Sequence, residues 1–319
     1  MYMVKYVIKR IALMFFVLFT IMTMSFVLIK LLPNIDAEQF GKDAALVAQR
    51  REIMGYNKPI LVQYGIFLKR SILGGDWGMS ESLYRMQDVW TVFVSKLPAT
   101  LMVNICSILI SIPVGLLLGI YAALKKNKWQ DYLISTLVMV FISVPAFVFA
   151  FLVQYILCFK LKLFPLQLKA GTDWFSPSML RSAVPAILSL SFGSIAGFAR
   201  YTRAELSEVL TSDFMLLART KGLTRSQATI RHAMRNSMVP IFPMILGEFV
   251  GIMSGSLIIE QIFGAPGVGQ LFLNSITGRD YNFFMLLTVF YTMIGLVAGI
   301  VVDISYGIVD PRIRMGSKK

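Results

Sequence analysis

Long runs without charge dominate this chain and limit the folds that it can adopt. Five runs of at least 18 residues contain no Asp, Glu, Lys or Arg, and a sixth, Asn236–Glu260, is interrupted by Glu248. About 20 mostly apolar residues are needed for a helix to cross a bilayer. The sequence therefore predicts an all-α integral membrane protein with six transmembrane helices. The five uninterrupted runs are Ile11–Ile29, Leu97–Leu124, Tyr132–Phe159, Ser182–Ala199 and Tyr281–Val302.

The composition agrees with a membrane location. Hydrophobic residues make up 56% of the 319 residues and charged residues only 15%, whereas soluble domains average about 45–50% and about 25%. The formal charge of +14 would fit nucleic-acid binding only if basic patches lay on a water-soluble fold. Here the basic residues flank apolar runs, which is typical of membrane proteins. Membrane lipid is thus an expected partner and nucleic acid is not.

The first apolar run is predicted to be a retained helix. Its 19 residues exceed the roughly 7–15 residues of a signal-peptide core, and no A-x-A cleavage site follows it. Counting basic residues then predicts both termini in the cytoplasm. The segments placed inside carry 17 Lys and Arg, against 5 in the short outside loops, with Lys160 and Lys162 among the latter. The long first loop is discounted, since long loops translocate largely regardless of charge.

This topology divides the chain into four parts. After the first helix, a mixed polar segment with a Gly-Gly turn predicts a small extracytoplasmic lobe. The parts are an N-terminal tip with the first helix (1–32), the lobe (33–96), a core of five helices (97–309) with a long cytoplasmic loop (206–235), and a cytoplasmic tail (310–319).

Motifs for hydrolysis are missing from the sequence. No G-x-x-x-x-G-K-[ST], H-E-x-x-H or G-x-S-x-G pattern occurs, so the chain lacks the usual residues for hydrolysing ATP or peptides. Cys106 and Cys158 lie in apolar runs without a CxxC pair, and His232 has no cysteine or second histidine nearby. The sequence predicts no catalytic residue, no bound cofactor and no metal site.

Small residues and prolines recur within the apolar runs. Glycines four residues apart lie on one helix face, where a neighbouring backbone can approach closely, so a tightly packed bundle is expected. Prolines within such helices kink them, as suits a bundle that encloses a cavity. The glycine sets are Gly115/Gly119, Gly193/Gly197, Gly247/Gly251/Gly255 and Gly295/Gly299.

Glu248 is an ionisable residue in the middle of an apolar run. Intramembrane ionisable residues are candidates for function. A structural carboxyl that is hydrogen-bonded across the bundle and a residue of a transport path remain equally favoured for Glu248. An ion-coupled secondary transporter that uses Glu248 is one alternative class of function, and a receptor or scaffold without transport is another.

The cytoplasmic loop is unusually basic. From Leu217 to Pro240 it contains five Lys or Arg residues and His232, and no acidic residue. Phe214, Leu217 and Ala218 share one helical stripe. Gly222 breaks that pattern, which predicts a short helix followed by a glycine turn.

A second helix is expected to follow that turn. Thr224 is suited to cap it, with Gln227 three residues later as the partner in a capping box, and the helix would run into the next span at Pro240. Three uses of this loop are open on physical grounds: contact with anionic lipid, an ordinary solvated loop, or docking into a groove of a cytoplasmic partner.

The loop resembles the EAA loop of ABC-transporter permeases, in the form found in the dipeptide/oligopeptide/nickel family. It departs from the general pattern at Leu216 and Leu217, where Glu and Ala are usual. The similarity continues through the first run, the segment after it, "EQIFGAPGVGQL" from Glu260 and "VDPRIR" near the C-terminus, so it covers essentially the whole chain. The lobe after the first helix is most similar to the B-type oligopeptide subunit. The matching loop residues are Ala218, Arg219, Lys221, Gly222, Leu223, Arg231, His232, Ala233, Arg235, Asn236 and Pro240.

This resemblance implies a type I ABC importer permease. It implies a second homologous permease subunit, two cytoplasmic ATPase subunits on which ATP and Mg act, and an extracytoplasmic substrate-binding protein. Phe214, Leu217 and Ala218 with Arg219–Leu223 would form the part that contacts the ATPase, and Arg231, His232, Arg235, Asn236 and Pro240 would anchor the loop to the next span.

The segment between the last two runs is expected at the outer mouth. There it would face the binding protein, although a plain turn between spans is an equally good interpretation. The resemblance leaves open whether the substrate is a dipeptide, an oligopeptide or a nickel complex. The candidate residues of the outer-mouth loop are Glu260, Phe263, Pro266, Gly267 and Gly269.

Overall fold

A computed structural model describes residues 2–31, 41, 44–169, 171–252 and 256–309, with side chains from residue 7 to 305 within these ranges. The predicted all-α class is confirmed: apart from one isolated bridge between Met79 and Asp88, the regular structure of the described residues is helical. Gly255 and the predicted tail 310–319 lie outside the described residues.

Thirteen α-helices are present in the described ranges, and three of them continue as a π-helical turn. The π-helical turns are Lys69–Leu73, Gln154–Lys160 and Thr229–Ala233. The α-helices are α1 (Tyr2–Leu31), α2 (Ala44–Ile53), α3 (Ile60–Leu68), α4 (Val89–Leu124), α5 (Trp129–Ser143), α6 (Ala146–Val153), α7 (Pro177–Val209), α8 (Asp213–Thr220), α9 (Arg225–Ala228), α10 (Met234–Gly251), α11 (Leu257–Ile262), α12 (Val268–Thr277) and α13 (Tyr281–Val309).

Four helices of the described chain are long and apolar enough to cross a membrane, or five spans if one bent pair is counted. The four lie in α1, α4, α7 and α13. The sixth predicted span does not meet this criterion. Its helix, α10, has 18 residues and includes Pro240, Pro243 and Glu248, while the apolar residues of α11 belong to a separate short helix.

The predicted span Tyr132–Phe159 is not one straight helix. The axis turns by 102° between Trp129–Ser143 and Ala146–Lys160. Pro145 causes the break, because a residue before proline is disfavoured in the α region. Val144 accordingly has extended backbone angles, φ −88° and ψ 130°. The uncharged run predicted the length of this segment, and its single proline determined the bend.

Contacts divide the chain into two units, which differ from the parts predicted by membrane side. The first unit contains residues 1–98 and 266–296, so the lobe shares a unit with the first helix. Tyr64 and Phe67 of α3 pack on Phe26 of α1, with ring centroids 5.1 and 5.4 Å away. The Tyr64 hydroxyl is also 2.7 Å from the hydroxyl of Thr23. The lobe is therefore folded against α1.

A buried carboxyl joins the lobe to the turn before α13 in the same unit. Asp280 is fully buried and its Oδ2 accepts hydrogen bonds from the hydroxyl of Ser80 (2.6 Å) and from the backbone N–H of Ser82 (3.1 Å) and Leu83 (3.2 Å). Asn282 donates to the carbonyl of Met79 at 2.7 Å. These bonds satisfy polar groups that would be costly to bury unpaired.

The second unit contains residues 99–265 and 297–319, and α7 lies at its centre. In the most apolar 18-residue stretch of α7, 56% of the residues are buried, whereas the corresponding share in α1 is 11%. Ser176 caps α7 by accepting from the N–H of Met179, and proline in the first turn suits the helix start. Helix α7 thus carries the packing on which the neighbouring elements depend.

Close approach between α4 and α7 requires glycine. A Cβ added at Gly115 would lie 2.6 Å from the Cβ of Phe198, and one at Gly119 would lie 2.6 Å from the carbonyl oxygen of Ala199. The small-residue pattern therefore marks a helix contact at this pair. Among the described residues, the other glycine sets make no such close approach: a Cβ at Gly193, Gly251, Gly295 or Gly299 would meet nothing within 4 Å, and one at Gly197 or Gly247 would be in ordinary van der Waals contact.

Candidate functional site

The loop 206–235, predicted to be cytoplasmic, folds as two helices around Gly222. Helix α8 ends in a Schellman motif, in which Gly222 N–H donates to the carbonyl of Arg219 (3.0 Å) and Leu223 N–H to that of Ala218 (3.3 Å). Gly222 has φ +91°, a left-handed conformation that glycine adopts without penalty. The predicted glycine turn is therefore present, and its hydrogen bonds fix the end of α8.

The second helix of the loop begins at the predicted capping box. Thr224 accepts from the N–H of Gln227 at 3.3 Å, and the Gln227 side chain accepts from the N–H of Thr224 at 3.1 Å. Helix α9 then continues through the π-helical turn into α10 and reaches Pro240 without a break. Only Leu223 separates Gly222 from Thr224, so caps on both sides hold the angle between the two helices.

One face of the loop is packed on the bundle. Met215 and Ala218 of α8 are buried with Ala123 at the end of α4 and Leu206 near the end of α7. Leu223 packs against the same cluster. Because this face is fixed by apolar contacts, the opposite face of α8 is held in a defined orientation.

Bulky apolar side chains remain exposed on the opposite face. Phe214, Leu216 and Leu217 of α8 are 39%, 65% and 55% exposed, and Ile230 is 68% exposed. The predicted stripe of Phe214, Leu217 and Ala218 is thus divided, since Ala218 faces the bundle. Leu216 and Ile230 were not predicted to belong to the contact surface; the pattern that could have indicated them is an apolar residue on the helix face opposite the buried one.

Basic residues surround these exposed apolar side chains in the sequence. No carboxylate lies between Asp213 and Glu248 to neutralise them. Asn236 is also exposed and Pro240 is half-buried. The predicted anchor residues 231–236 therefore present mostly solvent-facing side chains, with Ala233 buried among them. The exposed basic residues are Arg219, Lys221, Arg225, Arg231, His232 and Arg235. We call these six basic residues, together with Phe214, Leu216, Leu217 and Ile230, the coupling surface.

An ion pair supports the end of α7 from which this loop emerges. Both carboxylate oxygens of Asp131, at the start of α5, bind the guanidinium of Arg203 at 2.5 and 2.8 Å. The Asp131 side chain is only 2% exposed, and that of Arg203 is 33% exposed. Asp131 also accepts from the N–H of Asn127 at 3.0 Å. The pair fixes α5 to α7 six residues before α7 ends.

The segment predicted at the outer mouth is mostly buried. Glu260 is 3% exposed and accepts a hydrogen bond from the hydroxyl of Thr100 at 2.7 Å. Phe263 is 1% exposed within an apolar cluster. Gly267 and Gly269 are buried as well, whereas Pro266 is half-buried. Of the five candidate residues only Pro266 retains an accessible surface, so any contact with a partner would involve its neighbours.

Glu248 lies half-buried on α10. Its Oε1 accepts a hydrogen bond from the hydroxyl of Ser194 on α7 at 3.2 Å. This hydrogen bond between two helices agrees with the interpretation of Glu248 as a structural carboxyl, and Ser194 is its partner. One hydroxyl leaves most of the acceptor capacity of a carboxylate unused.

Comparison with known proteins identifies the class to which this fold and loop belong. A family described as "Binding-protein-dependent transport system inner membrane component" matches residues 115–315, and its N-terminal counterpart matches residues 3–104. The chain belongs to this family. It is therefore a multi-pass membrane permease component of a transport system that also contains a substrate-binding protein and an ATPase.

Several relatives match along their whole length. The dipeptide transport system permease protein DppB of Lactococcus lactis subsp. cremoris is 34% identical, and so is DppB of Bacillus subtilis; they cover 98% and 99% of this chain and 100% of their own length. The oligopeptide transport system permease protein OppB of Escherichia coli K12 is 32% identical over 98% of the chain and its own full length. These similarities favour a permease of this kind over an ion-coupled secondary transporter.

Proposed function

We propose that this chain is the membrane-spanning permease subunit of an ATP-driven importer of peptides, including oligopeptides. The names of the full-length relatives support a peptide substrate. Dipeptides and nickel complexes are the alternative cargoes for the same machinery. The chain binds no cofactor of its own in this proposal, because ATP and Mg act on the partner ATPase subunits.

The coupling surface carries the proposal. Helix α8 buries Met215 and Ala218 yet exposes Phe214, Leu216 and Leu217, although apolar surface in contact with water is unfavourable. A compact apolar patch surrounded by polar residues is typical of a protein contact. We assign this patch to a groove on the ATPase, in the mode in which a short amphipathic helix lies in an apolar groove.

The surrounding charge has a separate role. The basic residues Arg219, Lys221 and Arg225 would orient the helix or pair with acidic residues of the ATPase, since complementary charge contributes more to orientation and association rate than to affinity. Arg231, His232, Arg235, Asn236 and Pro240 would transmit movement of the loop to α10. This assignment requires the loop, and with it both termini, to be cytoplasmic.

Transport would proceed by alternating access. Two permease subunits enclose one pathway, and two ATPase subunits bind their coupling surfaces. ATP can drive the change only if the closed ATPase pair binds the outward-open state more tightly than the inward-open state. The caps around Gly222 make α8 a stiff connector, so displacement of the ATPase would move the ends of α4 and α7. A binding protein would deliver the peptide at the outer side, near the segment that includes Glu260, Phe263, Pro266, Gly267 and Gly269.

The test is ATP-dependent uptake of a labelled peptide mixture into vesicles that contain the assembled complex. We compare the wild type with Gly222→Pro, which removes the N–H donor and cannot adopt φ +91°, and with Gly222→Asn, since asparagine tolerates this conformation. The proposal expects uptake to require ATP, to be lost in the proline variant and to persist in the asparagine variant. Uptake driven by an ion gradient without ATP would contradict the proposed class. If the ATPase is bound but no peptide is taken up, the substrate is not a peptide, and a nickel complex becomes the favoured cargo.

A further inference from the structure

Glu248 differs in its partners from Asp131, a buried carboxyl of the same unit. Asp131 is neutralised by the guanidinium of Arg203, which binds both of its oxygens. Glu248 has a single hydroxyl partner, Ser194. Within the described part of the chain, no basic nitrogen forms a salt bridge with it.

The position of Glu248 makes an unpaired carboxyl unusual. It lies between the apolar pairs Ile245–Leu246 and Phe249–Val250 of α10, and its side chain is half-buried. A charged group that faces lipid is costly, and such groups therefore face a bundle interior or a wet cavity. The face that carries Glu248 is therefore expected to line a polar space and not the hydrocarbon.

Two glycines close to Ser194 and Glu248 in the sequence are not covered by other described residues. Gly193, adjacent in sequence to Ser194, and Gly251, less than one turn after Glu248, would each admit a Cβ without contact within 4 Å. Where α7 and α10 do meet, a Cβ added at Gly197 would lie 3.5 Å from the terminal methyl of Met244. The described residues therefore leave these two glycine positions uncovered, while α7 and α10 are in contact at Gly197 and Met244.

We propose that Glu248 binds the positively charged amino terminus of a peptide as it passes through the membrane. This inference rests on the proposed function and assigns part of its substrate recognition to one residue. A carboxylate offers about four acceptor positions, of which Ser194 occupies one. The α-ammonium group of an unmodified peptide carries three N–H donors and the opposite charge, whereas its carboxyl terminus would be repelled. Ser194 holds the carboxylate in place and is a positioning residue.

The experiment compares uptake of trialanine and of N-acetyl-trialanine, which lacks the ammonium charge. Rates are measured in vesicles with wild type, Glu248→Gln, Glu248→Asp and Ser194→Ala, each with the same binding protein, so that the preference of that protein cancels between variants. Glu248→Gln is expected to reduce the rate ratio of free to acetylated peptide about tenfold, equivalent to about 1.4 kcal/mol. Glu248→Asp, which keeps the charge, should restore most of the ratio, and Ser194→Ala should give an intermediate value.

Glu52→Gln is the matched control, because it removes a carboxylate from the exposed end of α2 and should leave the ratio unchanged. An unchanged ratio in Glu248→Gln would overturn the inference and leave the proposed function intact. Loss of the assembled complex in Glu248→Gln but not in Glu248→Asp would also overturn it, in favour of a charge pair with the second permease. If the wild type takes up neither peptide despite bound ATPase, the proposed peptide function fails and the inference fails with it.

Discussion

Asp280 accepts a hydrogen bond from Ser80 at 2.6 Å, although the two residues are 200 positions apart in the chain. The same carboxylate oxygen accepts from two backbone N–H groups that follow Ser80, and Asp280 Oδ1 accepts from the N–H of Phe283 in the first turn of α13. One buried side chain thus closes the turn of the lobe and caps a membrane helix. The position of the lobe depends on this residue.

Replacement of Asp280 by alanine should loosen the lobe. The buried hydroxyl of Ser80 and the half-buried N–H groups of Ser82 and Leu83 would lose their acceptor, which is expected to cost on the order of 3 kcal/mol. The purified chain should melt at a lower temperature, and protease should cut the lobe sooner. Asp173→Ala, at an exposed position, is the control. Equal melting temperatures of the two variants would show that Asp280 does not hold the lobe.

Alanine at Gly119 should destabilise the chain, whereas alanine at Gly65 should not. The new Cβ at Gly119 would lie 2.6 Å from the carbonyl oxygen of Ala199 and from the Cβ of Thr202, but at Gly65 it would meet nothing within 4 Å. Overpacking costs about 1–3 kcal/mol. In an open helical position alanine is instead favoured over glycine by up to about 1 kcal/mol. Thermal melts of the two variants should therefore shift in opposite directions.

Loss of Arg203 should cost more than loss of both members of its ion pair. Arg203→Met leaves the buried Asp131 carboxylate unpaired, at an expected cost of about 2–3 kcal/mol, near the low end for buried pairs because Arg203 is one-third exposed. Asp131→Asn in the same chain removes the unpaired charge and should recover part of the stability. The melting temperatures of the wild type, the two single variants and the double variant together form a double-mutant cycle. Strict additivity would exclude coupling between the two residues.

A charge on the coupling surface should release the ATPase without unfolding the permease. Leu217 is 55% exposed, so Leu217→Glu should disturb the packing of the chain only slightly, but in the proposed complex it would place a carboxylate in an apolar groove. Co-purification of ATPase should fall at least about tenfold. Leu61→Glu, on the 82% exposed position in α3, serves as the control. If the Leu217→Glu variant retains the ATPase, the coupling surface is not the part of the permease that binds it.

Local patterns predicted the loop of the candidate site well. The capping box at Thr224 and Gln227 and the turn at Gly222 depend on residues within a few positions of each other, so their geometry follows from the sequence. Which face of α8 packs inward was not predictable in the same way. Ala218 is buried and Leu217 exposed because the ends of α4 and α7 happen to lie on that side.

The glycine pattern was informative only in part. Gly115 and Gly119 face α7 closely, while Gly295 and Gly299 have the same spacing but a Cβ added at either would meet none of the described residues within 4 Å. Spacing establishes that two small residues share a helix face, but a neighbouring backbone has to be present for the face to be used. The burial of Glu260 and Phe263 was not predictable from local sequence either. Their segment has the pattern of a turn, and residues distant in the sequence cover it in the second unit.

By itself the sequence determined the all-α membrane class, most of the spans and the caps on both sides of Gly222, because solvent preference and backbone conformation act over short stretches. The tertiary structure alone decided that Asp280 binds Ser80, that Asp131 pairs with Arg203 and that Ser194 donates a hydrogen bond to Glu248. These relationships join residues separated by 54 to 200 positions, and a hydrogen bond of fixed length between such residues exists only once packing has brought their helices together.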